Sequence, residues 1–148
     1  MGMERVASVT IAAPPEAVFV HLGDLSAYPA WTGLVSRAAS LPQGDDGRPA
    51  WAVDLRGHVG PLARSKRLRM VRARHDPPHL VVFERAEADG RAHASWTLTA
   101  ELNEVDGGCR VTMTFAYGGG LWGPVVERLL GDEIDRSKRD LATLVESG

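Results

Sequence analysis

The sequence predicts an α+β fold: an antiparallel sheet of about seven strands with a long C-terminal helix over one face, and two short helices after the first strand. Three observations predict it. Apolar residues recur with period two between Leu34 and Tyr117, as in a sheet with one covered side. Turn signals interrupt that stretch repeatedly. After Gly118-Gly119-Gly120 the apolar period becomes helical and stays so to the C-terminus.

The elements follow in order. Val6 to Ile11 is a short β-branched run and reads as the first strand. Pro14-Pro15 opens a helix, because proline suits the first turn, and Glu16 favours that end through the helix dipole. Val18, Phe19 and Leu22 share its apolar face, and Gly23 ends it. Asp24 to Trp31 reads as a second short helical turn, stopped by Pro29. Alternation then marks the strands containing Trp51, Val53 and Leu55, then Ala94 to Leu102, then Val111 to Tyr117. Gly44 to Gly47, Asp76-Pro77-Pro78, Asp89-Gly90 and Asp106-Gly107-Gly108 separate them, and Asp-Gly pairs mark hairpins because primed turns need positive φ. About six consecutive strands in a meander result. Pro124 then sits where a first-turn proline belongs, and Val126, Leu130, Ile134, Leu141 and Val145 form one stripe widened by Leu129 and Leu144. So wide a stripe must lie on a large apolar surface, and the inner face of the sheet is the one available.

Composition bounds the function. The chain has 148 residues, 44% of them hydrophobic and 24% charged, which suits one globular domain spanning 1–148. A net charge of -2 gives no drive toward nucleic acid or anionic lipid. The lone cysteine, Cys109, excludes an intrachain disulfide and a cysteine zinc site, and reads as a small buried hydrophobe. No apolar run reaches membrane-spanning length, and Met1 to Ala13 does not read as a signal peptide, so a cytoplasmic protein without stable membrane insertion is expected. Fifteen of the 17 basic residues are Arg, a skew that fits a GC-rich bacterial genome.

The order of elements, with Asp24-Leu25-Ser26-Ala27-Tyr28-Pro29-Ala30-Trp31 just after the first helix, resembles the START-like superfamily. This is the group of birch-pollen-allergen-type proteins, polyketide cyclases and aromatases, and lipid-transfer domains. The resemblance implies a helix-grip fold, a curved sheet wrapped around the long helix with a cavity between them. It implies a container and leaves the contents open.

The inward positions are the candidate ligand-binding residues. Trp51, Val53, Leu55, Leu68, Met70, Trp96, Leu98, Met113, Phe115 and Tyr117 line the sheet side, and Val126, Leu130, Ile134 and Leu141 the helix side. Together they form either an apolar pocket wall or a filled core. Tyr28, Trp31 and Tyr117 suit a wet pocket mouth, although Tyr28 and Trp31 serve equally to staple the second helix to the sheet.

Arg64 to Arg74 carries six basic residues. By parity Arg67 and Arg69 face away from Leu68 and Met70, while Arg64, Lys66, Arg72 and Arg74 share their face. An inward cation is costly unless paired. Lys66 or Arg64 therefore either meets an anionic group on the ligand, pairs with Glu87 or Asp89, or is rotated out by a bulge.

Five histidines show no metal spacing, His58 reads as exposed, and neither a metal nor a cofactor is expected. Glu133 and Ser137 lie at the edge of the helical stripe, where such residues usually face solvent, with an acid/base role as the alternative.

Three functions fit. The first is a carrier or binder of a small hydrophobic molecule (a lipid, an isoprenoid quinone or a polyketide-like aromatic). The second is a polyketide cyclase or dehydratase using the same cavity. The third is an interaction module with a vestigial pocket. Nearly all inward strand positions are apolar, which favours the carrier. A monomer or a dimer fits equally well.

Overall fold

The computed structural model describes residues 3–59, 62–118 and 124–147, except for the side chains of residues 3, 56–59, 62–66 and 124–130. Strand β1 (Met3–Ile11) leads into helix α1 (Pro15–Phe19) and a 3-10 helix (Leu25–Ala30). Strands β2 (Val35–Leu41), β3 (Ala50–Val59), β4 (Leu62–Asp76), β5 (Leu80–Arg85), β6 (Trp96–Val105) and β7 (Gly108–Tyr117) follow, and helix α2 (Pro124–Glu146) completes the chain.

Pro15 occupies the first turn of α1. Asp24 caps the 3-10 helix, its Oδ1 accepting from the Ser26 backbone N–H at 2.8 Å, which satisfies one donor that helix geometry leaves unpaired. The sheet order is β1-β7-β6-β5-β4-β3-β2, so the six later strands form a meander and β1 closes against the last of them. Every pairing is antiparallel.

Two turns need glycine. Gly107, in the two-residue connection between β6 and β7, has φ +81°, and Gly47, between β2 and β3, has φ +70°. Asp89-Gly90 departs from expectation. Gly90 does take φ +73°, but β5 ends at Arg85 and β6 begins at Trp96. The pair therefore sits within a long loop rather than forming a tight hairpin, and side chains such as Arg85 and Asp89 bond to that loop's backbone.

Register places the predicted inward residues opposite one another: Trp51 with Met70, Val53 with Leu68, Trp96 with Tyr117, Leu98 with Phe115. The covered face packs against Val18, Phe19, Leu22, Leu25, Leu141 and Val145 in one core cluster. Each of these side chains is 8% exposed or less, so the core is dry at that end of the sheet.

Helix α2 is pinned as well as packed. The Ser137 hydroxyl donates to Thr32 Oγ1 at 2.8 Å, a Glu133 carboxylate accepts from the Gly33 N–H at 3.1 Å, and Glu146 accepts from the Ala12 N–H at 2.9 Å. Ser137 is buried while Glu133 stays partly open to water, which corrects the solvent-facing expectation for Ser137. The edge of the apolar stripe anchors the helix to the segment after the 3-10 helix. No described helix is long and apolar enough to cross a membrane.

Candidate functional site

The covered face divides into two aromatic groups. Tyr28, Trp31, Trp51 and Phe83 form the first. Tyr28 and Trp31 lie 4.8 Å apart between centroids, and both Tyr28 and Trp51 meet Phe83 edge-on at 6.0 and 5.6 Å. All four are buried. The Tyr28 hydroxyl donates to Leu22 O at 2.9 Å and Trp31 Nε1 donates to His21 O at 3.1 Å. Burial drives the Tyr28 hydroxyl far above the usual phenol range. These two residues do not form a wet mouth. Their polar atoms are engaged by backbone carbonyls of the turn after α1, so they staple that region to the sheet and offer the interior only ring faces.

Trp96, Phe115 and Tyr117 form the second group, with Trp96 5.0 Å from Phe115 and 4.5 Å from Tyr117. It differs in exposure. Phe115 and Tyr117 are only half-buried, as are Leu55, Leu98 and Met113 on the same face. By strand register Leu55, Leu98, Phe115 and Tyr117 lie toward the end of the sheet away from Ile11, Cys109 and Leu102, which are fully enclosed, and Met113 lies midway, opposite the buried Ala100. The covered face is therefore sealed at one end and looser at the other along β6, β7 and at Leu55, while Trp51, Val53, Leu68 and Met70 beside them stay buried.

Trp96 is itself 8% exposed, and its Nε1–H has no hydrogen-bond partner among the described residues. An unmet buried donor costs about 1–3 kcal/mol.

Among the described residues, arginine side chains reach this face at two places. Arg72 shares the parity of Leu68 and Met70. Its guanidinium lies 5.9 Å from the Trp51 ring centroid and donates to Gly23 O at 2.9 Å. The other place is Arg85, on the parity of Val81 and Phe83. Its Nε donates to Glu87 at 2.7 Å, with side chains 7% and 18% exposed. Its other nitrogens meet Ala94 O and His93 Nδ1, both at 3.3 Å. His93 Nε2 reaches Asp89 at 2.8 Å, and hydrogen bonds from the Arg91 backbone N–H and from His93 hold the Asp89 carboxyl below the usual carboxylate range.

The pairing expected of Lys66 or Arg64 with Glu87 or Asp89 lies outside the described residues. The described partners of Glu87 and Asp89 are Arg85 and His93, which reach them within β5 and the loop after it. The side chains of Lys66 and Arg64 lie outside the described residues, although Lys66 pairs by register with Leu55. Leu130, Val126, Leu129 and His58 likewise have side chains outside the described residues. Ile134 is half-buried.

Arg67 faces outward, as parity requires, and its hydrogen bond to Asp54 at 2.7 Å lowers the Asp54 pKa. Arg37, Ala39, Ala52, Asp54 and Arg67 line a hollow of 110 Å³ on that outer face, too small for an ordinary ligand site. Arg74 is exposed and pairs with Asp76, because the register shifts between Arg72 and Arg74. Cys109 is buried, and that burial raises its thiol pKa. Among the described residues no group of His, Cys, Asp or Glu is placed to hold a metal ion.

Comparison with known proteins bears on this geometry. Residues 4–146 match the family described as polyketide cyclase / dehydrase and lipid transport. The chain belongs to that family. A START superfamily protein from Mycobacterium smegmatis superposes with a TM-score of 0.73 at 17% identity, over 97% of each chain. The Zhui aromatase/cyclase from Streptomyces sp. R1128 superposes with a TM-score of 0.70 at 13% identity, over 99% of this chain and 94% of that one. A protein from Thermus thermophilus gives 0.72 at 19% identity, over 98% of each chain. At these identities the likeness establishes the fold, a START-like helix grip. No curated protein matches the chain.

Sequence reasoning missed Val81, Phe83 and the Arg85–Glu87 pair. The signal was present in Leu80 to Arg85, where Val81, Phe83 and Arg85 share a parity. The unbroken apolar run from Leu80 to Phe83 masked the alternation.

Proposed function

We propose that the protein binds or carries a small hydrophobic molecule in the space between the sheet and α2, at the end lined by Leu55, Leu98, Met113, Phe115 and Tyr117. One observation carries the reading: these apolar side chains face the covered side of the sheet yet remain half-buried, while the same face is sealed at the other end. A filled core would bury them alike, since interiors close-pack. Leu68, Met70, Trp51 and Val53 form the adjoining wall, Ile134 and Leu130 belong to the covering helix, and Tyr28 and Trp31 back the sealed end.

The family description supports this class of ligand and includes lipid transport. It also includes cyclase and dehydrase chemistry. The described inward charged groups favour the carrier. Arg85 and Glu87 satisfy each other, and Arg72 is held by Gly23 O and the Trp51 ring, so none of the three is poised to move a proton. Lys66, opposite Leu55 in register, is proposed to meet an acidic group where the ligand has one.

Titration with an environment-sensitive fluorescent dye such as 1-anilinonaphthalene-8-sulfonate, whose rings seek apolar sites, tests the reading. One saturable site on the native protein is expected, and the absence of any saturable binding contradicts it.

A further inference from the structure

The second aromatic group holds a donor that its surroundings leave unmet. Trp96 opens β6, and its ring is flanked by Phe115 and Tyr117 of β7. Its side chain lies on the covered face, enclosed to 8% exposure, and Nε1 is shielded from solvent. Two polar ring groups of the first aromatic cluster, Trp31 and Tyr28, both donate to backbone carbonyls. Trp96 Nε1, by contrast, is buried with no acceptor among the described residues. Arg85, one residue beyond the Glu84–Thr97 pair and so beside Trp96, can only donate, and Glu87 is already bound by Arg85 and by the Arg69 N–H. Buried indole N–H groups are ordinarily paired. No described residue supplies the acceptor, and the looser end of this face is where a bound molecule would supply it.

We propose that the Trp96 indole N–H is the polar anchor of the cavity, donating to a carbonyl-type oxygen on a planar apolar ligand that lies against Phe115 and Tyr117. The inference rests on the ligand-cavity reading above and narrows it. A purely hydrocarbon ligand leaves the donor unmet; a ligand with an acceptor oxygen relieves it. The flat flanking rings favour a conjugated ligand over a flexible chain, because offset stacking rewards planarity. Trp96 is thus a specificity-determining residue that selects for an acceptor at one position.

The test uses two probes of matched skeleton, 2-acetylnaphthalene and 2-ethylnaphthalene, which differ by a carbonyl in place of a methylene. Affinities for both are measured in wild type and in Trp96→Phe, which keeps a ring and removes the donor. Trp96→Phe should weaken the ketone by roughly threefold to tenfold, the worth of one neutral hydrogen bond, and leave the hydrocarbon within about twofold. The wild-type protein supplies an independent readout. The indole proton resonance of Trp96, assigned through its own backbone, should move downfield with the ketone and not with the hydrocarbon. If both probes bind, but the ketone-to-hydrocarbon ratio and the indole resonance are both indifferent to the carbonyl, the anchor is refuted and the apolar cavity stands. If neither probe binds wild type, the cavity reading falls and the anchor with it.

Discussion

Replacing the buried ion pair of Arg85 and Glu87 should produce strongly non-additive losses of stability. The two side chains are 7% and 18% exposed and meet at 2.7 Å. At an effective dielectric constant near 20, unit charges ~4 Å apart attract by about 4 kcal/mol. Desolvation offsets much of that in the intact pair. The offset disappears when one partner is removed, because the survivor stays buried without compensation. Glu87→Gln retains an acceptor for the Arg69 N–H but deletes the charge, and Arg85→Met retains volume but deletes the cation. Each single change should destabilise by about 3 kcal/mol. The double variant should lose far less than the sum, with a coupling energy of about 2 kcal/mol or more. With a urea slope near 2 kcal/mol per molar, each single variant should unfold ~1.5 M earlier than wild type. Equilibrium urea unfolding of the four proteins measures all of this. Additivity within ~0.5 kcal/mol would refute the reasoning, since it would mean the two charges are solvated separately.

Two further outcomes follow. Lys66→Met should weaken 2-naphthoic acid far more than its amide, by about 2 kcal/mol or ~30-fold, if Lys66 reads ligand charge; an unchanged acid-to-amide ratio returns Lys66 to a structural role. His75 should titrate below the ordinary histidine value, because burial and then the nearby Arg72 cation disfavour its charged form, against a smaller opposing effect of Asp76. A base whose pKa is lowered by folding stabilises the native state above its unfolded value of ~6.5, and that contribution is lost as pH falls toward the lowered value. Nuclear magnetic resonance titration of the His75 ring, which stacks on Phe19 at 5.7 Å, checks the shift, and a His75→Gln variant should lose the corresponding slope in stability.

Periodicity made the sheet and the long helix legible, because burial of one face forces the period on the sequence. The inward set from Trp51 to Tyr117 was readable for the same reason, and register pairs its members as parity required. Parity alone could not reveal Arg85 and Glu87, since an inward charged residue breaks the binary pattern and is tolerated only through a partner two residues away. Nor could it separate a wet tyrosine from a stapled one. Tyr28 and Trp31 have the composition of a pocket mouth, and only the three-dimensional placement of Leu22 O and His21 O decides their role. Ser137 reads as a boundary residue on a helical wheel, yet Thr32, far away in sequence, supplies its partner.

The central claim, an apolar cavity at the Leu98–Phe115 end of the sheet, is tested most directly by filling it. Leu98 pairs with Phe115 on one side and Phe83 on the other, and is half-buried. Leu98→Trp should occupy the cavity, leave the urea midpoint nearly unchanged, and reduce binding of 1-anilinonaphthalene-8-sulfonate at least about tenfold. A Leu98→Trp protein destabilised by the ~1–3 kcal/mol of an overpacked core, or one that binds the dye as wild type does, would contradict the account.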